Sequence, residues 1–329
     1  YAGGSSDIMT FKLDPGNGSL ERIEQRTLAG NVGSIIIDKE NKRLFASSYD
    51  RIYGFNINED GRLSDLAGYP VYPVPANEIN EIIFTQSNNF LFALYEVNTD
   101  LYGFIYSKPA GILTGLPGYP VTLPSTVTNA KSLNYSAFMF YSIPTGSWYR
   151  TDINPDGSYN SSSVLGGLES NPTAVTAYDK ICIFRDSITP PPYIGIYVYN
   201  FGIDSGEINT VRNFVNIIPG GSRFVSFNNP RGMLYFAHNI EPNIFCLKIY
   251  SDGNVDGFIR QLPTEGISNF NSMETDPFGE FLVFSSGTAP SSQLNVMKIN
   301  NEGYPDPDIY KWQSVSQTIN ELKCFRFER

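Results

Sequence analysis

A glycine turn that recurs along the whole chain constrains the fold more than any other feature of the sequence. It appears as LDPGNGSL at Gly18, NINEDGRL at Gly61, SKPAGIL at Gly111, INPDGSY at Gly157, GIDSGEI at Gly206, YSDGNV at Gly253 and INNEGYP at Gly303. An apolar residue stands two places after the glycine in each copy but the last, which has Pro305 there. The spacings run from 43 to 50 residues and average 47.5. That period is the length of a four-stranded propeller blade, and seven copies predict an all-β, seven-bladed β-propeller. Two copies, GRLSDLAGYPV (61–71) and GILTGLPGYPV (111–121), agree at seven of eleven positions, the mark of a duplication.

Inside each unit the antiparallel strands, a to d, can be read off. In the first full blade they are SIIID (34–38), RLFASS (43–48), RIYGFNI (51–57) and the segment after Gly61. The turns KENK and NEDG carry the Asn, Asp and Gly that hairpins require. The second blade repeats the pattern with EIIFT, FLFALY and LYGFIY, the fifth with RFVSF, MLYFAH and IFCLKIY, and the sixth with SMETD, EFLVFSS and LNVMKI. Inner strands are apolar on both faces because neighbouring blades cover both sides. The C-terminal INELKCFRF (319–327) supplies only a strand a, and the N-terminal YAGGS, DIMTFKL and SLERIEQ supply b, c and d. One blade is therefore expected from both chain ends, closing the ring and removing an exposed edge. Residues 1–329 read as a single propeller domain.

Much common chemistry is excluded. His238 is the sole histidine, so no His-rich metal site can form in one chain. No G-x-S-x-G, G-x-G-x-x-G, P-loop or H-E-x-x-H motif is present. Cys182, Cys246 and Cys324 each sit in an apolar run, with no zinc-ligand spacing, and read as reduced, buried small hydrophobes. Asp252, Asp256, Asp306 and Asp308 fit no calcium loop, so no metal and no cofactor is expected. Lys and Arg total 23 against 33 Asp and Glu, a net charge of −10, which disfavours nucleic acid as a partner. No run approaches the length of a membrane helix, so no membrane insertion is expected. Sequons at Asn17, Asn134 and Asn160 point weakly to a secreted or extracellular location.

Units such as SRFVSFNNPRGMLYFAHNIEPNIFCLKIYSDGNV, and the GYPV that follows strand d, resemble the seven-bladed lactonase family of 6-phosphogluconolactonase-like and fungal carboxy-muconate lactonising enzymes. The resemblance covers the whole chain. It implies a funnel site of Arg, Glu and His side chains, for which the fifth blade offers Arg223 at the start of strand a and His238 and Glu241 after strand b. The second His that the family implies in an earlier blade has no counterpart here, and Phe224 follows Arg223.

Strand direction selects a working end. The starts of a strands and the ends of b strands lie together, so the d–a and b–c connections share one face. AGYPVYPVPANEI, PGYPVTLPSTVTN, RDSITPPPYIG and SSGTAPSSQ lie on it and are long, the usual setting for binding. Aligning the starts of strand a gives a rim of Gly33, Asn80, Asn129, Thr173, Arg223, Asn271 and Asn320. Glu81 and Glu321 follow in near-identical INEI and INEL segments. Amides with one guanidinium suit a polar or anionic small ligand. The same residues equally suit a purely local task, satisfying backbone groups at strand starts. Tyr69, Tyr72, Tyr119, Tyr193 and Tyr304 fall in loops and either stack on a sugar or protein partner or lid the blade edges. Three functions follow: a binding module acting on a small ligand or protein partner through this face, a lactonase or lactonising enzyme, or a subunit of a larger assembly.

Overall fold

The structure, a computed structural model, describes residues 1–73, 78–85, 89–95, 99–134, 137–165, 174–177, 180–186, 193–201, 208–219, 222–228, 232–238, 243–250, 254, 260–263, 267, 269–288 and 292–324. Backbone alone is described at 128–129, 133–134, 174–228 apart from Tyr199, 238, 260–263, 308–309 and 320. Among these residues there is no helix.

The strands group into two compact units, one composite and one contiguous. The composite unit opens with β1 (Ala2–Gly4), β2 (Asp7–Leu13) and β3 (Leu20–Thr27). The contiguous unit holds β4 (Val32–Asp38), β5 (Arg43–Ser48), β6 (Arg51–Ile57) and β7 (Leu63–Asp65). It continues with β8 (Ile79–Phe84), β9 (Phe90–Tyr95), β10 (Asp100–Ser107), β11 (Ile112–Gly115) and the short β12 (Val121–Thr122). It ends with β13 (Thr128–Asn134), β14 (Ala137–Ser142), β15 (Ser147–Ile153) and β16 (Tyr159–Leu165). The chain then re-enters the composite unit through β17 (Ala174–Ala177), β18 (Lys180–Asp186), β19 (Tyr193–Phe201) and β20 (Ile208–Pro219). There follow β21 (Ser222–Asn228), β22 (Met233–His238), β23 (Asn243–Lys248) and β24 (Arg260–Pro263). Last come β25 (Phe270–Thr275), β26 (Phe281–Ser286), β27 (Ser292–Ile299), β28 (Pro305–Val315) and β29 (Ile319–Leu322).

Consecutive strands pair antiparallel in runs of four, with β12 added to β10. The one sheet that joins distant sequence has the order β29-β1-β2-β3. Its register sets Ala2 opposite Leu322 and Gly3 opposite Glu321. Where burial is described, the second strand of a run is the most enclosed. RLFASS in β5, AFMFYS in β14 and FLVFSS in β26 are buried at every position, as strands covered on both faces must be. Each sheet therefore feeds two cores. Phe45 and Ile52 meet Ile82, Leu91 and Phe104 in one, while Phe92 and Leu94 of the same second sheet meet Phe138 and Phe140 in the next.

The recurrent glycine marks where one sheet meets the next. Gly111, in the β10–β11 turn, has φ of +74°, a left-handed conformation open to glycine. A Cβ there would lie 2.7 Å from Leu66 and 2.8 Å from Arg43 of the preceding sheet. The Gly111 carbonyl accepts a hydrogen bond from the Tyr69 hydroxyl at 2.8 Å, and the Gly157 carbonyl one from Tyr119 at 2.9 Å. The two tyrosines belong to the duplicated GYPV segments, and both Tyr-Pro bonds are cis. Their rings cover Gly54 of β6, where any side chain would overlap Tyr69, and Gly103 of β10, where a Cβ would press on Tyr119 at 3.0 Å. Arg43 completes the first joint by donating to the Tyr106 hydroxyl at 3.0 Å and the Pro109 carbonyl at 2.9 Å, and Tyr106 donates to Asp38 at 2.7 Å.

Candidate functional site

A β-bulge recurs at one position near the start of the first strand of the sheets. The register steps over one residue between Val32 and Ser34, Ile79 and Glu81, and Thr128 and Ala130 in the contiguous unit. It does the same between Ser222 and Phe224 and between Phe270 and Ser272 in the composite unit, and at β29, where Gly3 opposes Glu321 but Gly4 opposes Ile319. The bulged residues are Gly33, Asn80, Asn129, Arg223, Asn271 and Asn320, the rim positions aligned from sequence. Thr173 lies outside the described residues. A bulge unpairs one residue and re-aims it, which is why bulges gather beside binding sites.

The bulges leave backbone groups that are met in three ways. The Ser34 N–H donates to Ser47 Oγ at 2.9 Å. The Ala130 N–H donates to Glu81 Oε2 at 2.8 Å, while Lys131 Nζ lies 3.3 Å from Glu81 Oε1, so Glu81 ties β8 to β13. Asn271 Nδ2 donates to the Gly287 carbonyl at 2.6 Å. Glu321 Oε1 pairs with Lys323 Nζ at 3.0 Å. Gly33 permits the close start of β4 against β8, because a Cβ there would sit 2.7 Å from the Ile79 carbonyl oxygen.

Most of the second strands end on polar residues. β5, β9, β14, β18, β22 and β26 finish on Ser48, Tyr95, Ser142, Asp186, His238 and Ser286, a periodicity that the glycine alignment did not look for. His238 stands opposite Ser222, next to the bulged Arg223. In the composite unit β21 neighbours β25, and β25 neighbours β29, which brings the bulges at 223, 271 and 320 to one register position on adjacent strands. Their fellow Glu241 lies outside the described residues.

Other expectations resolve individually. The d–a connections are long in two sheets, at 66–78 and 116–127, and short at 220–221 and 316–318, and the b–c turn at 49–50 has two residues. Tyr69 and Tyr119 lid their sheets. Tyr72 is exposed, with the Arg51 guanidinium 5.0 Å from its ring. Tyr304 is partly buried against a core, and Tyr193 opens β19. Cys246 is buried and Cys324 half-buried, neither of them in a disulfide, and the Cys182 side chain lies outside the described residues. Among the described residues no group of three or more His, Cys, Asp or Glu is arranged to hold a metal ion, and no helix is long and apolar enough to cross a membrane.

No family model and no curated protein matches the chain. Solved structures do. A protein from Lactobacillus plantarum is similar at a TM-score of 0.73 and 12% identity, over 96% of this chain and 98% of its own. A Bacteroides fragilis protein provisionally described as a 6-phosphogluconolactonase is similar at 0.57 and 18%, over 81% and 78%. The Cps50 (Swd1) β-propeller domain of Myceliophteria thermophila is similar at 0.61 and 10%, over 87% of each chain. At such identities the likeness is one of architecture. The antiparallel four-stranded sheets and these neighbours together give the chain a lactonase-like β-propeller fold.

Proposed function

We propose that the chain is a single seven-bladed β-propeller, its ring closed by the pairing of β29 with β1, that works as a binding module for a polar or anionic small ligand. The recurrence of the bulge carries this reading. One position, repeated through both units, is unpaired from its ladder and holds an amide or guanidinium in all but one described case, Gly33. Arg223 is the anchor, because a guanidinium grips a carboxylate or phosphate bidentately. Asn80, Asn129, Asn271 and Asn320 supply neutral donors and acceptors. Calorimetric titration with gluconate, 6-phosphogluconate and citrate tests it. Binding of one of these is expected, with Arg223→Ala weakening it by about 1.5–3 kcal/mol at an unchanged melting temperature. No binding of any anion, or a lower melting temperature with affinity intact, refutes it.

A second reading, lactone hydrolysis, is favoured by the register that sets His238 beside Arg223. Here His238 or Glu241 acts as the proton acceptor for an attacking water, and Arg223 holds the developing oxyanion. Turnover of δ-gluconolactone or its 6-phosphate above the spontaneous rate, lost in His238→Ala/Glu241→Ala, selects this reading over simple binding.

A further inference from the structure

The contiguous unit keeps a tyrosine where its backbone asks for a smaller residue. Ser48 opposes Arg51 across a two-residue hairpin turn, Tyr49-Asp50. Tyr49 has φ of +55°. Positive φ in such a turn is ordinarily taken by Gly, Asn or Asp, and a bulky residue there is strained. Packing does not explain the choice. Tyr49 is 46% exposed, and its side chain makes no hydrogen bond or ring contact among the described residues. Strain held at an exposed side chain points to a task outside the fold.

A second exposed tyrosine stands beside this turn. Val71, in the β7–β8 connection, pairs with Ile52 through two backbone hydrogen bonds of 2.9 Å, which brings Tyr72 next to Arg51. The Arg51 guanidinium lies 5.0 Å from the Tyr72 ring and donates to Asp50 at 2.9 Å, and Tyr72 stays 57% exposed. Tyr49, the Asp50–Arg51 pair and Tyr72 therefore follow one another across the end of one sheet. The turn is fixed on both sides. The Ile79 N–H donates to the Tyr49 carbonyl and Ser48 Oγ to the Gly30 carbonyl, each at 2.7 Å. A ligand that meets this group has little to order.

We propose that Tyr49 and Tyr72, with Asp50 and Arg51 between them, form a site for a neutral pyranose sugar. A pyranose carries an apolar C–H face and a rim of hydroxyls. Its C–H hydrogens are attracted to the electron-rich face of a tyrosine. Its hydroxyls accept from Arg51, whose side chain is 31% exposed, and donate to Asp50. Two rings fall far short of the roughly 800 Å² per partner of a stable protein interface, so the group suits a small ligand. Asp50 neutralises Arg51, so no net charge selects an anion here, and the site does not depend on the anion site proposed above.

The test is a saturation-transfer NMR titration with cellobiose, lactose and maltose, with sorbitol as the open-chain control that has hydroxyls but no ring face. Saturable binding of at least one disaccharide is expected, about tenfold or more tighter than sorbitol. Tyr72→Ala should weaken it about tenfold. Tyr49→Gly should weaken it about fivefold while the melting temperature holds or rises, because glycine removes the left-handed strain. A ring kept for the fold gives the opposite, a lower melting temperature with nothing lost in binding. Absence of saturable binding by all three sugars, equal binding of sorbitol, or unchanged affinity in either variant overturns the proposal.

Discussion

The two units seal the same joint with different parts. In the contiguous unit the carbonyls of Gly111 and Gly157 accept the hydroxyls of Tyr69 and Tyr119, carried on the long straps at 66–78 and 116–127. In the composite unit the equivalent turn carbonyl of Gly303 accepts the hydroxyl of Tyr235 at 2.6 Å, from the middle of β22 and fully buried. The connection from β24 to β25 has no GYPV strap, and a core strand supplies the donor in its place. The acceptor is thus fixed by the repeat, since every blade must make the tight turn, while the donor is whatever the neighbouring chain can bring within reach. Where β29 meets β1 neither device is used. Backbone hydrogen bonds hold that pair, extended by the Lys323 N–H to the Tyr1 carbonyl at 2.9 Å.

The backbone-held pair should be the costliest to break. Deleting residues 319–329 removes Ile319 and Leu322, both buried, together with one side of the β1 ladder. Burial of two such side chains is worth roughly 3–6 kcal/mol. A fall in melting temperature of about 4–9 °C is expected by calorimetry; a fall under 2 °C shows that β29 carries none of the stability. Next comes Gly111→Ala, expected to cost about 3–4 kcal/mol by urea unfolding, from left-handed strain plus overlap with Leu66 and Arg43. Gly68→Ala is its control, because Gly68 has φ of +87° with nothing within 4 Å of the added Cβ. It should cost only the strain, about 1–2 kcal/mol. Equal costs remove the claim that the recurrent glycine is a point of inter-sheet approach.

Smaller still is the hydroxyl itself. Tyr235→Phe leaves a buried carbonyl unmet and should cost about 1–3 kcal/mol, whereas Tyr119→Phe, at a half-buried strap that water can reach, should cost about 0.5–1.5 kcal/mol. The reverse order by urea unfolding means that the straps, not the core donor, dominate the joint.

What the sequence made legible was whatever is local and repeated. The strands RLFASS and RIYGFNI and the N-terminal DIMTFKL fall on β5, β6 and β2 residue for residue, because turn chemistry and apolar runs are written within a few residues of each strand. The strand starts aligned by counting from the period fell on a bulge in each sheet where they can be read. The tasks of side chains across sheets were hidden. Nothing in GYPV says that its tyrosine lies on Gly54 or reaches Gly111, 42 residues on. Glu81 gives no local sign that it serves the Ala130 amide, 49 residues away.

The slightest effect expected is kinetic, and it distinguishes the backbone-held joint from the core behind it. Burial, with Glu274 nearby, pushes the Cys324 thiol up to about 12. In the unfolded chain it ionises near 8.5. The folded state therefore keeps a proton that the unfolded state loses, and this contribution to stability, full below about pH 8.5, declines as pH rises from there toward 12. At pH 9 the native thiol is almost wholly protonated, so alkylation of Cys324 proceeds through opening of the chain around it. Opening β29 alone exposes Cys324, two residues beyond its end, whereas Cys246 in β23 is enclosed in a core with Tyr235 and Phe270 and requires the unit to unfold. Iodoacetamide labelling mapped by mass spectrometry should modify Cys324 before Cys246. Leu322→Ala should accelerate labelling at Cys324 and leave Cys246 nearly unchanged. In urea all three cysteines should label as free thiols. Equal native rates at Cys324 and Cys246 mean that β29 never opens by itself, and the β29-β1-β2-β3 sheet is then as firmly joined as the strapped ones.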